Sequence, residues 1–346
     1  MMASKMRKIG GEFEIDPLAL YGFNGKETET DLFIYSSGRS ALISILKHLK
    51  KSGSSKIHIP YYICESVVKA CEIAGFEVKF YELNDNFLFP IDYLDSIREN
   101  ESLLSVNYFG FVDDNAVIEN IRSVRPDIVI ISDQVQSFWT YKNTKADYSF
   151  TSLRKHFSLP DGGLVYSNDV SFRTQENLKI SSFYKSKLIG SILKHLNLPD
   201  ETYLSFFSEG EDEINNEQGV FKSSNLTSFL FQKINFQKAI EQRKENYKVL
   251  YNYGKQYNLD FIFPYAEDLI PMNVPIRLSN RDKIRKKLIN RSIFLPVHWP
   301  LGWFNCNSIR SKLLSETEMS LVVDQRYSIS DIEYEMQTLI KALKNE

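Results

Sequence analysis

Among the residues of this sequence, Lys155 is the strongest candidate for a side chain that forms a covalent bond during catalysis. It follows a stretch of hydroxyl side chains that includes Ser149 and Ser152, and the glycine pair 162–163 comes soon after it. A lysine in a closed site loses its charge readily, so its amine can attack an aldehyde carbon. The serines could then bind a phosphate, and the glycines would let backbone approach a flat cofactor. The alternative is that Arg-Lys-His at 154–156 is a basic surface loop.

Asp133 and Gln136 form a second candidate, directly after the apolar run 128–132. An acid at the carboxyl end of a buried parallel strand lies where α/β sheets place their ligands. Its carboxylate could pair with a buried cation, such as a protonated pyridine nitrogen, and Gln136 could face the same pocket. The alternative is an aspartate that caps the next turn.

The third candidate is the turn at Gly38, Arg39 and Ser40, between a short apolar run and an amphipathic helical pattern. Backbone N–H groups at the start of a helix lack intrahelical acceptors and lie at the positive end of the helix dipole. That arrangement suits a phosphate. An ordinary N-cap at Ser37 or Ser40 explains the same residues without a ligand.

The elements that must position these residues alternate as strands and helices over the first half of the chain. Short apolar runs alternate with segments whose apolar residues recur at helical spacing, such as 41–49 and 66–74. This rhythm predicts an α/β fold with a mainly parallel sheet covered by helices. The strands are expected at 33–35, 57–60, 76–83, 103–107, 128–132 and 164–167.

The pattern changes after about residue 170, where long helical segments dominate. We expect a large domain at 1–240, with a helical insert at about 173–218, and a small C-terminal α/β domain at 241–346. The acidic stretch 209–217 is expected to be a solvated loop. In the small domain, His298 could line a pocket or be an ordinary half-buried histidine.

Composition excludes several classes of function. Lys and Arg number 42 against 44 Asp and Glu, so the net charge of −2 offers no footprint for nucleic acid. No apolar run is long enough for a membrane span, and residues 1–16 lack the apolar core of a signal peptide. The three cysteines fit neither a disulfide framework nor a zinc site. These features predict a cytoplasmic protein without a metal.

The order of the candidate motifs resembles that of the DegT/DnrJ/EryC1/StrS sugar aminotransferases, pyridoxal-phosphate (PLP) enzymes of fold type I. The resemblance covers roughly residues 30–340. The matching segments are Ser-Gly-Arg-Ser-Ala-Leu at 37–42, Pro-Tyr-Tyr-Ile-Cys at 60–64, Asn-Tyr-Phe-Gly at 107–110, Ser-Asp-Gln-Val-Gln at 132–136, Ser-Phe at 149–150 with Lys155 and Gly-Gly at 162–163, and Val-His-Trp at 297–299.

The resemblance implies a role for each matching residue. Lys155 would hold PLP as a Schiff base and move the proton during the reaction. Asp133 would pair with the pyridine nitrogen, and Gln136 would lie near the phenolate oxygen. Backbone of the turn 38–40, together with the hydroxyl of Ser149, would hold the phosphate.

The implied reaction is a ping-pong transamination in the synthesis of a surface polysaccharide or glycan. An amino acid, expected to be glutamate, would donate its amino group to a keto sugar linked to a nucleotide. Tyr108 and His298 would contact the substrate, and a homodimer would share its active sites. The alternative is a PLP enzyme of dehydratase, lyase or acyl-transfer type. Dehydratase relatives replace the lysine with histidine, and His156 is adjacent, but the interval to the glycine pair favours Lys155.

The departures from the family fall around the cofactor and substrate. Cys64 stands where the family has a ring-stacking aromatic, so stacking is lost or moves to Tyr62. The interval from Ser149 to Lys155 is one residue longer than usual, so Ser152 could replace Ser149 at the phosphate. Lys-Ser-Ser-Asn-Leu-Thr at 222–227 stands in place of an Asn-Tyr-Arg segment that the partner subunit donates in the family.

Overall fold

The computed structural model describes residues 8–15, 33–174 and 177–344. Half of the segment 1–16, in which no signal peptide is expected, and residues 175–176 of the expected insert lie outside the described residues. The described residues divide into two compact units. The larger unit contains residues 12–15, 33–108, 112–174 and 177–235, and the smaller one contains residues 8–11, 109–111 and 236–344.

The strands and helices are numbered here in chain order. The strands are β1 (Ile9–Gly10), β2 (Lys56–Pro60), β3 (Glu77–Tyr81), β4 (Ser102–Val106), β5 (Val129–Asp133), β6 (Tyr148–Ser152), β7 (Gly163–Ser167), β8 (Asn273–Arg277), β9 (Ile293–Phe294) and β10 (Glu318–Val322). The helices are α1 (Gly38–Lys51), α2 (Glu65–Ala74), α3 (Asn115–Val124), α4 (Tyr184–His195), α5 (Asp200–Asn216), α6 (Asn225–Phe231), α7 (Phe236–Gln256), α8 (Arg281–Ile289), α9 (Ile309–Thr317) and α10 (Ile329–Lys344).

The larger unit is built on a six-stranded sheet with the order β3-β2-β4-β5-β6-β7. The first five strands in this order run parallel, and β7 is antiparallel to β6. All of β4 and nearly all of β2 and β5 are buried, as expected for parallel strands with both faces covered. The predicted α/β fold with a mainly parallel sheet is confirmed.

Local signals in the sequence place the first two helices. Ser37 has extended backbone, and its hydroxyl accepts a hydrogen bond from Ser40 N, so α1 begins with an ordinary N-cap. Gly75 ends α2 with a φ of 74°, in the left-handed conformation that glycine adopts most easily. Strand β6 was not among the expected strands, although it carries the hydroxyl side chains that precede Lys155.

The expectation of a solvated loop at 209–217 is wrong, because most of that stretch is the C-terminal half of helix α5. Tyr203, Phe207, Gly210 and Ile214 recur at helical spacing and form its buried stripe. The acidic residues lie between members of this stripe. The apolar spacing therefore decides the structure of this segment, and its charge does not.

The smaller unit has its own core. Strands β8 and β10 pair antiparallel, and the short strands β1 and β9 pair in parallel. Helix α10 packs against α7 and α8, and the core includes Leu250, Ile276, Leu321 and Met336. None of the described helices is long and apolar enough to cross a membrane.

Candidate active site

Asp133 ends strand β5 at the carboxyl edge of the parallel sheet. Its side chain is 6% exposed, and its carboxylate accepts a hydrogen bond from Val135 N at 2.9 Å. Burial raises the pKa of this carboxyl to about 7, against the smaller opposite effect of the Val135 amide. A buried acid whose partner among the described residues is one amide is suited to receive a cation. Gln136, three residues later, is also buried.

The thiol of Cys64 shows which charged groups come together beside Asp133. Cys64 is the residue before helix α2. Burial raises the pKa of its thiol; Lys155 and Arg39 lower it electrostatically, and Asp133 raises it. These three residues come from three different elements, so the fold brings the charged groups of Lys155, Asp133 and Arg39 near one thiol.

Lys155 lies in a 3-10 turn (Leu153–Lys155) that directly follows β6. Leu153 is fully buried and anchors the turn, whereas Lys155 is exposed. The neighbouring His156 is fully buried, and its Nε2 lies 2.9 Å from the carbonyl oxygen of Val135. His156 therefore fixes the turn to the segment after Asp133, while Lys155 projects its amine.

The alternation of side chains along β6 separates the two serines considered for the phosphate. Phe150 pairs with Asp133 across the sheet, so Phe150 and Ser152 lie on the same face as Asp133, and Ser149 lies on the other. The Ser149 hydroxyl donates to the carbonyl of Tyr141, on that other face. Ser152 is 5% exposed, and its hydroxyl has no hydrogen bond within the described part of the chain.

Helix α1 begins directly beside Ser152. A Cβ placed on Gly38 would lie 3.4 Å from Ser152 Cβ and 3.3 Å from Val135 Cγ2. The N–H groups of Gly38 and Arg39 have no acceptor among residues 8–15, 33–174 and 177–344. Ser40 is already used, because its N–H donates to Ser37 and its hydroxyl bonds to the backbone of Phe221. The turn thus offers two N–H groups next to one serine hydroxyl.

The side chain of Arg39 extends to other partners. Its guanidinium donates to Ser66 Oγ at 3.1 Å, to the carbonyl of Ile214 at 2.8 Å and to Asn215 Oδ1 at 2.9 Å. Arg39 therefore contributes its backbone N–H to the turn at the start of α1. Its side chain connects α1 to α2 and α5.

The glycine pair contacts the protein's own backbone, which corrects the expectation that it admits a flat cofactor. A Cβ on Gly163 would lie 2.3 Å from the carbonyl oxygen of Ser37. Gly163 also exchanges two backbone hydrogen bonds with Tyr35, each of 2.8 Å. Gly162 has a φ of +123°, which side-chain-bearing residues rarely adopt. The pair locks the turn before α1 against β7.

Tyr62 and Tyr108, expected at the cofactor and the substrate, pack against each other in the core of the larger unit. Both rings are 0% exposed and stack with centroids 5.7 Å apart. The Tyr108 hydroxyl donates to the carbonyl of Tyr62 at 2.6 Å. This packing holds the backbone that leads into Cys64.

Two other segments from the sequence analysis take defined places. His298 belongs to the smaller unit. Its backbone N–H donates to the carboxylate of the buried Glu318 at 2.6 Å, and its ring packs edge-on against the ring of Phe109. In the segment 222–227, the backbone N–H and hydroxyl of Ser224 donate to Asp161, and Ser224 caps α6. That segment is therefore bonded within its own chain.

Sequence reasoning missed a cluster of ion-paired side chains next to Lys155. Arg154 pairs with Glu211 at 2.8 Å, and Lys187 pairs with the same carboxylate oxygen at 2.6 Å. Arg154 and Glu211 are 57 positions apart, and Glu211 lies in the stretch that was expected to be a loop. The spacing of Tyr203, Phe207 and Gly210 was the signal that could have revealed the helix.

No protein-family model matches the sequence, and no curated protein matches it either. Solved structures do match. Spr1654 of Streptococcus pneumoniae, a candidate sugar aminotransferase in its PLP form, has 15% identity and a TM-score of 0.70, covering 98% of this chain and 99% of its own.

Two further solved structures match over most of their length. DesV of S. venezuelae, solved with a ketimine intermediate, has 14% identity and a TM-score of 0.65, with 96% and 90% coverage. A DegT DnrJ EryC1 StrS aminotransferase from Brucella abortus has 15% identity and a TM-score of 0.62, with 90% and 85% coverage. At these identities the likeness shows the fold, and the expected fold type I architecture is confirmed.

Proposed function

We propose that this chain is a PLP-dependent aminotransferase of the DegT/DnrJ/EryC1/StrS type. The observation that carries the proposal is the convergence of Lys155 and the buried Asp133 near Cys64, with the start of helix α1 beside Ser152 and Val135. An amine, an acid and an anion-binding turn are the three groups that an aldehyde, a pyridine nitrogen and a phosphate require.

The residues present fit PLP. The buried carboxylate of Asp133 gains a counter-charge if a protonated pyridine nitrogen lies beside it. The N–H groups of Gly38 and Arg39 and the hydroxyl of Ser152 are free to bind a phosphate. On this geometry Ser152, and not Ser149, is the serine that we assign to the phosphate. When bound, PLP supplies an electron sink that stabilises a carbanion next to the amino nitrogen.

Each residue then has a defined task. Lys155 binds the aldehyde carbon through its amine and, once released, holds and moves the proton beside it. Asp133 keeps the ring nitrogen protonated, since an ionised carboxylate in a dry site favours an adjacent cation. Cys64 lies among these groups where the family has an aromatic ring, and we assign the buried Gln136 to the phenolate side of the cofactor. The fully buried Tyr62 packs in the core and holds the backbone that leads into Cys64.

We further propose glutamate as the amino donor and a nucleotide-linked keto sugar as the acceptor, in a cytoplasmic homodimer. The motif resemblance, and the fold shared with the candidate sugar aminotransferase of Streptococcus pneumoniae, support this substrate class. Tyr108 and His298 remain predicted substrate residues. The burial of His156, and its contact with Val135 O, argue against a dehydratase in which histidine replaces the lysine.

The proposal is tested by mixing the purified protein with PLP and recording its visible absorbance. A band that borohydride bleaches, with the label mapped to Lys155 by peptide mass spectrometry, is the expected result. Lys155→Ala should give no such band, and Lys185→Ala, which removes an exposed lysine elsewhere, should behave as the wild type. Absence of the band from wild-type protein overturns the proposal.

Conversion of the band by glutamate alone, with release of 2-oxoglutarate, distinguishes transamination from lyase or dehydratase chemistry. A panel of keto sugars linked to different nucleotides then tests the acceptor. If glutamate and other amino acids leave the band unchanged while a sugar nucleotide is dehydrated, the aminotransferase assignment is wrong.

A further inference from the structure

Helix α5 reaches both sides of the proposed cofactor site through two arginines. Arg39 lies in the first turn of α1, where the backbone faces the phosphate position. Arg154 directly precedes Lys155. Both guanidinium groups end on the last turns of α5, on residues 211–215.

The first contact fixes the residue before the lysine. Arg154 donates to Glu211 Oε1 at 2.8 Å, and its guanidinium lies 5.8 Å from the centre of the Phe183 ring. Burial alone would raise the pKa of Glu211, but Arg154 and Lys187 hold it well below its usual range. Glu211 is therefore ionised at neutral pH, and charge-assisted hydrogen bonds of this kind are stronger than neutral ones.

The second contact fixes the phosphate turn. Arg39 donates to the carbonyl of Ile214 and to the side chain of Asn215. Asn215 is four residues after Glu211, so the two side chains leave α5 on the same face. The carbonyl of Ile214 lies at the end of α5, where the helix dipole attracts a cation.

Helix α5 is itself held firmly against α4. The ammonium of Lys187 on α4 is 2% exposed and donates to the carbonyl of Phe207 at 2.9 Å and to Glu12 at 2.7 Å. A Cβ on Gly210 would lie 2.9 Å from the Lys187 side chain, so the two helices pack at a glycine. A helix fixed in this way can set the distance between the two arginines that it binds.

We infer that Glu211 and Asn215 are positioning residues, which hold Lys155 and the phosphate turn at the spacing that PLP requires. Glu211 acts on the lysine through Arg154, and Asn215 acts on the turn through Arg39. This inference rests on the proposed function. It also gives the acidic helix of the insert a task in cofactor binding.

The effect of Glu211 on the lysine and the effect of Asn215 on the phosphate turn are separated by comparing PLP with pyridoxal, which lacks the phosphate. Glu211→Gln should slow adduct formation at Lys155 about fivefold with either compound, because Arg154 loses its charged acceptor. Asn215→Ala should raise the apparent Kd for PLP about fivefold and leave that for pyridoxal unchanged. The readouts are the rate and amplitude of the visible band and the borohydride-trapped mass at Lys155. Visible circular dichroism of the bound ring should change in both variants.

Asp212→Asn is the matched control, because Asp212 is an exposed acid on the same helix. It should match the wild type in every readout. If Glu211→Gln and Asn215→Ala also match it, the inference is wrong while the proposed function stands. If Glu211→Gln does not fold, the exposed Asn215 decides: equal loss of PLP and pyridoxal binding overturns its assigned role. A wild-type protein without an adduct at Lys155 overturns the proposed function and the inference together.

Discussion

Replacing Asp133 with asparagine should stabilise the protein without cofactor and weaken its binding of PLP. Asparagine has nearly the shape of the protonated aspartate and can still accept the hydrogen bond from Val135 N. It has no charge to desolvate. The same substitution removes the carboxylate that we expect to pair with the pyridine nitrogen.

The size of the first effect follows from the pKa of Asp133. Burial raises it from 3.8 to about 7, so folding favours the protonated form. Stability is therefore lost as pH rises from the unfolded pKa towards the folded one. Linkage gives a penalty of about 2 kcal/mol at about pH 5 and about 4 kcal/mol at about pH 8. The asparagine variant carries no such penalty, so its stability advantage over the wild type should grow by about 2 kcal/mol between these pH values.

The assay is urea unfolding of the cofactor-free wild type and variant at both pH values. Because all other titrating groups are shared, the change in their stability difference isolates Asp133. The measurement is repeated with saturating PLP, which should raise the stability of the wild type far more than that of the variant. A stability difference that is the same at both pH values refutes the reasoning about burial. Equal stabilisation by PLP refutes the pairing with the ring.

Four further substitutions test the site and the fold. Ser152→Ala should weaken PLP binding about tenfold while leaving pyridoxal binding unchanged, and Ser149→Ala should not distinguish the two ligands; equilibrium titration checks this. Gly163→Ala should lower the melting temperature sharply and weaken PLP binding, because its Cβ would lie 2.3 Å from Ser37 O; scanning calorimetry measures the first effect. Glu335→Gln should raise stability to urea at about pH 9 and change it little at about pH 4, because burial raises the pKa of Glu335 to about 8 and ionisation then opposes folding.

The central sheet was predictable because its strands carry local signals. Runs such as 103–107 and 128–132 are apolar enough to be buried on both faces, and Gly75 marks the end of a helix. Strand β6 was missed because it alternates aromatic and hydroxyl side chains. The hydroxyls of Ser149 and Thr151 are satisfied in the interior by the carbonyls of Tyr141 and Gln134, which no local pattern shows.

The same limit applies to the site. The sequence placed Lys155 and Asp133 in one site, and their common effect on Cys64 fits that prediction. The sequence pattern assigned the glycine pair 162–163 to a cofactor, because a glycine lets another group come close to the backbone. The pattern does not show whether that group is a cofactor or the protein's own backbone. It could not show that Glu211 meets Arg154, because an ion pair between distant residues depends on where two helices pack.

The choice between Ser149 and Ser152 shows how tertiary structure corrects a motif. The one-residue difference in the interval to Lys155 looks small in sequence, but in a strand one residue reverses the face of the sheet. Pairing of Phe150 with Asp133 fixes that face, so Ser152 lies on the side of the acid and of helix α1. A shift in the motif is therefore compatible with the phosphate site that we propose, since Ser152 has the position that the register requires.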